Sequence, residues 1–300
     1  MSFAAAMLMQ RRLVKHGPAS TIIALPAAWV REHQLSAGDT VQLQPDGDKL
    51  IVTPNSARRI NETTLNVDGL DRTSLKLLIR SAYRQGFSKI TVQYSKNSVV
   101  HYRKGEQVAL PIAVLQEVQL LIGMEVTEQH RGAIVIQEIT RPTADELPNL
   151  YRKSFTMVRQ FITFLATETN EENLDVEARH DLIMKIISYA MRIINSGEAN
   201  LTSKEKLRMS HTFSLLGIII DMIKYYVRAR RTTKVTPEER RFIEGLSVLF
   251  GDVEGCVFAK DTASMRSFEE HKQKLRENPV PRLVPITDVL TDLIVLYGFY

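Results

Sequence analysis

Residues 8–55 form a small β-rich unit, and its size is the strongest constraint on how this chain can fold. Residues 20–25 are a continuous β-prone run, Pro26 suits the first turn of a short helix, and residues 40–44 and 49–54 read as a hairpin. A unit of roughly 45 residues rarely buries enough surface to be stable without a metal, a disulfide or oligomerisation. Because the unit has no cysteine and no set of metal ligands, we expect it to pair with a second copy of the chain.

Pairing would bring two sets of cationic side chains onto one assembly. Arg11, Arg12 and Lys15 precede the β-prone run, and Arg31 lies in the short helix. Doubled guanidinium and ammonium groups on a β-dimer suit a phosphate backbone. The same residues on a solvated surface would carry no function, and the residues alone leave both interpretations open.

The segment LVKHGPASTIIALPAAWVREHQLSAGDTVQLQPDGDKLIVTP, residues 13–54, resembles a SpoVT/AbrB-type domain, the swapped-hairpin family that includes MazE-like antitoxins. The matching features are Lys15 and Gly17 before the strand, Ser20 at its start, the LP pair with Trp29-Val30, and GD at 38–39. The resemblance implies an intertwined homodimer that binds double-stranded DNA through its N-terminal half. By position, the nucleic-acid-binding residues would be Arg11, Arg12, Lys15, Ser20, Thr21 and Arg31. The loop HGPAS lacks the arginine that DNA-binding members often carry there.

Residues 62–142 alternate between strand and helix patterns and are predicted to form an intervening α/β domain. Residues 71–86 place Leu75, Leu78, Ile79 and Ala82 on one helix face, with Asp71 as a candidate N-cap. Further segments read as strands, as a helix opening at Pro111, and as a hairpin turning near Arg131-Gly132. The order β-α-β…α-β-β predicts a small sandwich of ferredoxin-like type.

Residues 144–300 show the pattern of six amphipathic helices, divided into groups at about 144–231 and 236–300. Capping boxes open two of them, formed by Thr202 with Glu205 and by Thr236 with Glu239. Two groups of three helices resemble a PhoU-type domain, which implies an all-α bundle pair and negative regulation of phosphate uptake. An AbrB-like head joined to such a domain through an α/β segment resembles a type of archaeal regulator.

Two features of the helical half suggest ligands. The PhoU resemblance implies metal binding through acidic residues four apart, and Asp288/Asp292 and Glu177/Asp181 have that spacing. We favour an ordinary solvated face for these pairs and predict no metal and no cofactor. A basic group crowds the end of the third helix, where it either stabilises the helix dipole or contacts an anion or nucleic acid. Its members are Lys224, Arg228, Arg230, Arg231 and Lys234.

Composition limits the remaining alternatives. The net charge of +5 is mild, and it fits an acidic partner and a merely soluble surface equally well. The single cysteine, Cys256, excludes an intramolecular disulfide and suits a reducing cytosol, and its apolar neighbours predict a core position. No window reaches the roughly 18 uninterrupted apolar residues of a membrane span. We therefore expect a cytoplasmic protein without membrane insertion.

The leading hypothesis is a non-enzymatic, DNA-binding transcriptional regulator of phosphate uptake. The scattered histidines argue against an enzyme, and His180 and Asp181 are expected to face different helical directions. One alternative is an adaptor that dimerises through the head, does not bind DNA, and contacts phosphate-transport or signalling proteins through its helices. Another is a MazE-like antitoxin, although antitoxins usually follow the head with a short tail.

Overall fold

The computed structural model describes residues 9–54, 61–167, 175–197, 199, 201–230 and 235–297. The chain divides into two compact units, Met1–Arg59 and Ile60–Tyr300. Small β-sheets occupy the N-terminal half and helices the C-terminal half. This confirms the prediction of a chain that combines β-containing segments with a helical C-terminal part. None of the helices in the described residues is long and apolar enough to cross a membrane.

The first unit consists of two hairpins around a short helix. Its elements are β1 (Val14–His16), β2 (Ser20–Ile22), α1 (Ala27–Glu32), β3 (Val41–Asp46) and β4 (Lys49–Pro54), with β1 paired to β2 and β3 to β4. Helix α1 ends at Glu32. The left-handed residue that follows the helix is Gln34, with φ 54°, while Gly38, with φ 101°, lies in the next turn.

No side chain in residues 9–54 is buried within one copy of the chain. The large apolar residues that are at least half exposed are Met9, Leu13, Val14, Ile22, Ile23, Leu43 and Leu50. Within residues 9–54, the first unit therefore has no hydrophobic core of its own.

The second unit begins with an α/β layer. Its elements are β5 (Glu62–Asn66), α2 (Arg72–Arg84), β6 (Lys89–Gln93), β7 (Ser98–His101), β8 (Glu106–Ala109), α3 (Leu110–Val118), β9 (Met124–His130) and β10 (Ala133–Glu138). Asp71 caps α2 as predicted, because its carboxylate accepts hydrogen bonds from the backbone N–H groups of Thr73 and Ser74.

The ferredoxin-like prediction for this layer is wrong. The main sheet has the order β5-β6-β10-β9, and β5 lies parallel to β6 as its direct neighbour, whereas a ferredoxin-like sheet splits the βαβ unit. The β9–β10 hairpin joins the sheet through β10, which pairs antiparallel to β6. The hairpin β7–β8, to which the sequence pattern assigned no strands, forms a separate two-stranded sheet. The order of elements along the chain does not determine which strands pair.

Six helices follow in the part of the chain that the structure describes, as predicted. They are α4 (Leu147–Thr167), α5 (Val176–Ser196), α6 (Ser203–Ala229), α7 (Pro237–Glu254), α8 (Thr262–Glu277) and α9 (Val284–Leu296). Both predicted capping boxes are present, at Thr202 and at Thr236. Helix α4 packs on α5 and α7, and α6 packs on α9. Cys256 is buried as predicted, in a π-helical segment, Gly255–Ala259, that follows α7.

A buried ion pair joins the helices to the α/β layer. Arg192 of α5 is 1% exposed, and its Nη2 donates to Glu138 Oε1 at 2.9 Å. Its Nη1 donates to the backbone carbonyls of Tyr83 and Phe87, each at 2.9 Å. One side chain thus holds α5 against the end of α2, the segment before β6, and β10.

We expect the substitution Arg192→Met to lower the free energy of unfolding by about 3 kcal/mol, because removing one member of a buried pair leaves the other charge uncompensated. The change is measured from urea denaturation of the full chain. The matched control is Arg131→Met at an exposed turn residue, which should change stability by no more than about 0.5 kcal/mol. Equal effects of the two substitutions would show that the buried pair is not a stabilising contact.

Candidate functional site

The predicted DNA-binding residues of the first unit are all exposed. Arg11 and Arg12 precede β1, while Arg31 lies in the last turn of α1. Lys15 of β1 and Thr21 of β2 are directly opposite each other in the hairpin register, so they share one face. The structure therefore brings one predicted pair together and places Arg31 on a different element.

Ser20 has a structural role in the hairpin. Its hydroxyl donates to the backbone carbonyl of His16 across the β1–β2 turn. A phosphate ligand would have to replace this contact before Ser20 could serve as a donor. Among the predicted polar contacts, Thr21 is the better placed.

One face of the β3–β4 hairpin is apolar, and one face of the β1–β2 hairpin carries an apolar pair beside His16 and Ser20. Val14 lies opposite Ile22 on the face of β1–β2 away from Lys15. In the β3–β4 hairpin, Leu43 lies opposite Val52, and Leu43 is 60% exposed. Apolar faces left open in one copy of the chain are surfaces suited to burial against another.

A strongly charged cleft of about 480 Å³ lies in the second unit, between α2, the β7–β8 hairpin, α5 and α6. Its charged and titratable lining residues are Arg72, Lys76, Arg80, His101, Arg103, Glu177, His180, Asp181, Asp221, Lys224 and Arg228. Helix α2 supplies Arg72, Lys76 and Arg80 from a single face, since residues four apart in a helix lie above one another.

His180 is at the centre of a hydrogen-bonded group in this cleft. Its Nδ1 lies 3.0 Å from Asp181 Oδ1, and its Nε2 lies 3.0 Å from Asp221 Oδ1. Lys224 Nζ lies 2.7 Å from the same Nε2 and also donates to Asp221. His180 and Asp181 were expected to face different helical directions, and their side chains are nevertheless in hydrogen-bond contact.

The neighbours of His180 and Asp221 shift their pKa values in opposite directions. Burial lowers the pKa of His180, but hydrogen bonds to Asp181 and Asp221 outweigh burial and leave the pKa above the ordinary 6.5. Burial raises the pKa of Asp221, but hydrogen bonds from His180 and Lys224 reverse this and lower the pKa to about 2. Both shifts favour the charged forms.

Two carboxylates beside the cleft each lie within ion-pair distance of two cations. The fully buried Glu117 accepts from Arg80 Nε at 2.7 Å, and its other oxygen faces Lys76 Nζ at 3.3 Å without an aligned hydrogen bond. Glu177 accepts two hydrogen bonds of 2.6 Å from Arg228. Arg103 Nη1 lies 3.6 Å from the same carboxylate.

These contacts account for three of the four acidic residues that the sequence suggested as metal ligands. Glu177 is bound by Arg228, Asp181 by His180, and Asp288 accepts from Arg276 Nη2 at 2.9 Å. In the part of the chain that the structure describes, no group of three or more His, Cys, Asp or Glu side chains could hold a metal ion.

The basic group predicted at the end of the third helix is divided. Lys224 and Arg228 line the cleft, while Arg230 points to Glu239, 3.4 Å away. Arg231 and Lys234 lie outside the described residues.

Sequence reasoning missed Arg72, Lys76 and Arg80, although their spacing of four was a visible signal. For Arg103, in the turn between β7 and β8, there was no comparable signal.

Comparison of the chain with protein-family models, with curated proteins and with solved structures finds no match.

The pKa of Asp221 predicts a pH dependence of stability. Because this pKa falls from 3.8 to about 2 on folding, ionised Asp221 stabilises the fold above pH 3.8, and the contribution is lost as the pH falls towards 2. Urea midpoints measured between about pH 5 and pH 3 should therefore fall less steeply in Asp221→Asn than in the unmodified chain. The control, Asp292→Asn at an exposed position of α9, should keep the original slope. Parallel curves for Asp221→Asn and the unmodified chain would contradict the assignment.

Proposed function

We propose that the protein is a DNA-binding transcriptional regulator of the phosphate response that acts as a homodimer. The observation that carries this proposal is the absence of any buried side chain in residues 9–54. A folded unit without a core needs another surface, and a second copy offers the same apolar faces. An interlaced, swapped-hairpin barrel is the arrangement that the family resemblance implies.

The DNA part of the proposal is supported by the position of the basic residues. Arg11, Arg12, Lys15 and Arg31 are exposed in one copy, and two copies double their number. Lys15 and Thr21 share the polar face of their hairpin, opposite the apolar face. A dimer that buries the apolar faces would leave these polar groups for the DNA backbone.

The phosphate part of the proposal rests on the second unit. Six helices of 13 to 27 residues follow one another from Leu147 to Leu296, which supports the resemblance to PhoU-type bundles. In this proposal the helical part senses the phosphate state or binds a partner, and the head holds the operator.

A specific observation favours the adaptor alternative. A groove of about 390 Å³ lies between α7 and α8, where Phe242, Val248 and Leu275 are flanked by polar and charged residues. Val248 is 50% exposed. An exposed apolar strip with a polar rim suits a protein partner such as a transporter or kinase subunit. Reversing the charges at Arg11, Arg12 and Lys15 distinguishes the two functions, since partner binding survives it and DNA binding does not.

Dimerisation is tested by a charge on the open face of the β3–β4 hairpin. We expect Leu43→Glu to convert the full-length dimer to monomer or to weaken it strongly, because a buried carboxylate without a partner is costly. The measurement is molar mass by sedimentation across a range of concentrations. The matched control is Leu207→Glu in α6, at a leucine that is 72% exposed, which should leave the mass unchanged. A monomeric unmodified protein, or a dimer insensitive to Leu43→Glu, would contradict the proposed pairing.

DNA binding is tested by its salt dependence. The affinity of the full-length protein for duplex DNA should fall steeply with salt, and the triple variant Arg11→Gln/Arg12→Gln/Lys15→Gln should reduce the slope of log K against log salt by up to about 5. That figure assumes a slope of about 0.9 for each phosphate that the three side chains of each copy no longer neutralise. The control carries the same charge change at exposed sites of the second unit, Arg131→Gln/Arg141→Gln/Lys153→Gln. No DNA binding at low salt would exclude the DNA half of the proposal and favour the adaptor.

A further inference from the structure

The charged cleft between α2, α5 and α6 contains more positive than negative charge. Six cationic side chains line it, and four carboxylates pair with them or with His180, namely Glu117, Glu177, Asp181 and Asp221. Two positive charges are therefore in excess even with both histidines neutral. Salt bridges within the cleft do not neutralise it.

The excess is located at Arg72 and Arg103. Arg72 donates from Nη2 to the amide oxygen of Gln116 at 2.9 Å, and no carboxylate in the described residues forms an ion pair with it. Arg103 is 3.6 Å from Glu177, a carboxylate already bound by two hydrogen bonds from Arg228. Both guanidinium groups therefore retain N–H donors for a further acceptor.

The positive charges act on one another within the fold. Burial, and after it the charge of Arg80, lowers the pKa of the neighbouring Arg84 to about 10. Like charges four residues apart on one helix are mutually destabilising. Glu117 offsets this repulsion between Lys76 and Arg80, but Arg72, the third residue of the row along α2, has no carboxylate partner in the described residues. An anion in the cleft would offset this repulsion.

We propose that this cleft binds the phosphate group of a small molecule, with Arg72 and Arg103 as its principal contacts and Lys224 and Arg228 on the facing wall. Planar guanidinium groups match phosphate oxygens in geometry and charge. The backbone N–H groups of Thr73 and Ser74 at the start of α2 are already bonded to Asp71, so the anion is held by side chains. The inference goes beyond the proposed DNA binding, because it concerns only residues of the second unit.

The rim of the cleft offers room for an organic group attached to the phosphate. Leu77 and Tyr225 line the cleft and are each 59% exposed. The Tyr225 ring lies 5.1 Å from Lys224 Nζ and 5.6 Å from the Arg228 guanidinium, so it is beside the cationic wall. Inorganic phosphate, pyrophosphate and a nucleotide all offer phosphate oxygens to the arginines. Only the nucleotide also has an organic group that can contact the rim.

The test is calorimetric titration of the full-length protein with inorganic phosphate, pyrophosphate and ATP, each at constant ionic strength, and with sulfate for comparison. We expect at least one of the phosphate compounds to bind more tightly than sulfate. The double variant Arg72→Gln/Arg103→Gln should weaken that binding by about 100-fold or more, because two charge-assisted hydrogen bonds are removed. Neither arginine pairs with the buried Glu117, so the variant should keep the urea midpoint of the unmodified chain.

The matched control is Arg131→Gln/Arg141→Gln, which carries the same charge change at exposed positions outside the cleft and should bind as tightly as the unmodified protein. A second variant, Tyr225→Ala, separates the sources: it should weaken ATP and leave inorganic phosphate and pyrophosphate unchanged if the ligand is a nucleotide. If ATP keeps its affinity in Tyr225→Ala, the rim has no role, and the phosphate group alone is recognised.

Three results would overturn the proposal: no binding of any probe at millimolar concentration, binding no tighter than that of sulfate, or equal losses of affinity in the cleft and control variants. A fourth result would also overturn it. If Arg72→Gln/Arg103→Gln weakens the salt dependence of DNA binding but leaves the affinity for the small anions unchanged, the cleft binds nucleic acid instead. The head variant Arg11→Gln/Arg12→Gln/Lys15→Gln should leave anion binding intact. Failure of the anion site and failure of the DNA proposal are thus distinguishable.

Discussion

The packing of α5 against the α/β layer depends on one buried positive charge, that of Arg192. The guanidinium is stable there because Glu138 and the carbonyls of Tyr83 and Phe87 accept its hydrogen bonds, as a buried charge requires. These acceptors belong to separate segments of the layer, so their positions are set together. Nearby, Arg84 of α2 donates from Nε and Nη2 to the hydroxyl of Ser188 in α5, which reinforces the same contact.

The charged cleft is a consequence of that packing. With α2 held against α5, the basic face of α2 is opposite the residues of α5 and α6 that carry carboxylates. Each of two carboxylates is shared by two cations. Glu117 pairs with Lys76 and Arg80, and Glu177 pairs with Arg103 and Arg228. His180 and Asp221 stabilise one another's charged forms. An open, charge-rich cavity inside a well-packed unit is where we place a phosphate ligand.

The two units differ in the source of their stability. The second has a continuous apolar core that includes residues of the sheet and of all six C-terminal helices, and it is complete within one copy. The first leaves Leu13, Val14, Leu43 and Leu50 more than half exposed, and in the proposed homodimer its stability would depend on association and hence on protein concentration. In the proposed regulator, the dimeric head would change its occupancy of DNA with concentration, while the second unit would remain folded and able to bind its ligand throughout.

Features that depend on near neighbours were predictable from the amino-acid sequence. Helix caps such as Asp71 and Thr202, the six helices, and the lack of a core in the head follow from spacing and composition over a few residues, because those hydrogen bonds and periodicities are local. The basic stripe of Arg72, Lys76 and Arg80 was equally visible, although its partners were not. Tertiary packing was needed to establish that β5 lies beside β6, that α2 contacts α5, and that His180 meets Asp221, 41 residues away. Such pairings depend on which surfaces pack together, and local patterns do not contain that information.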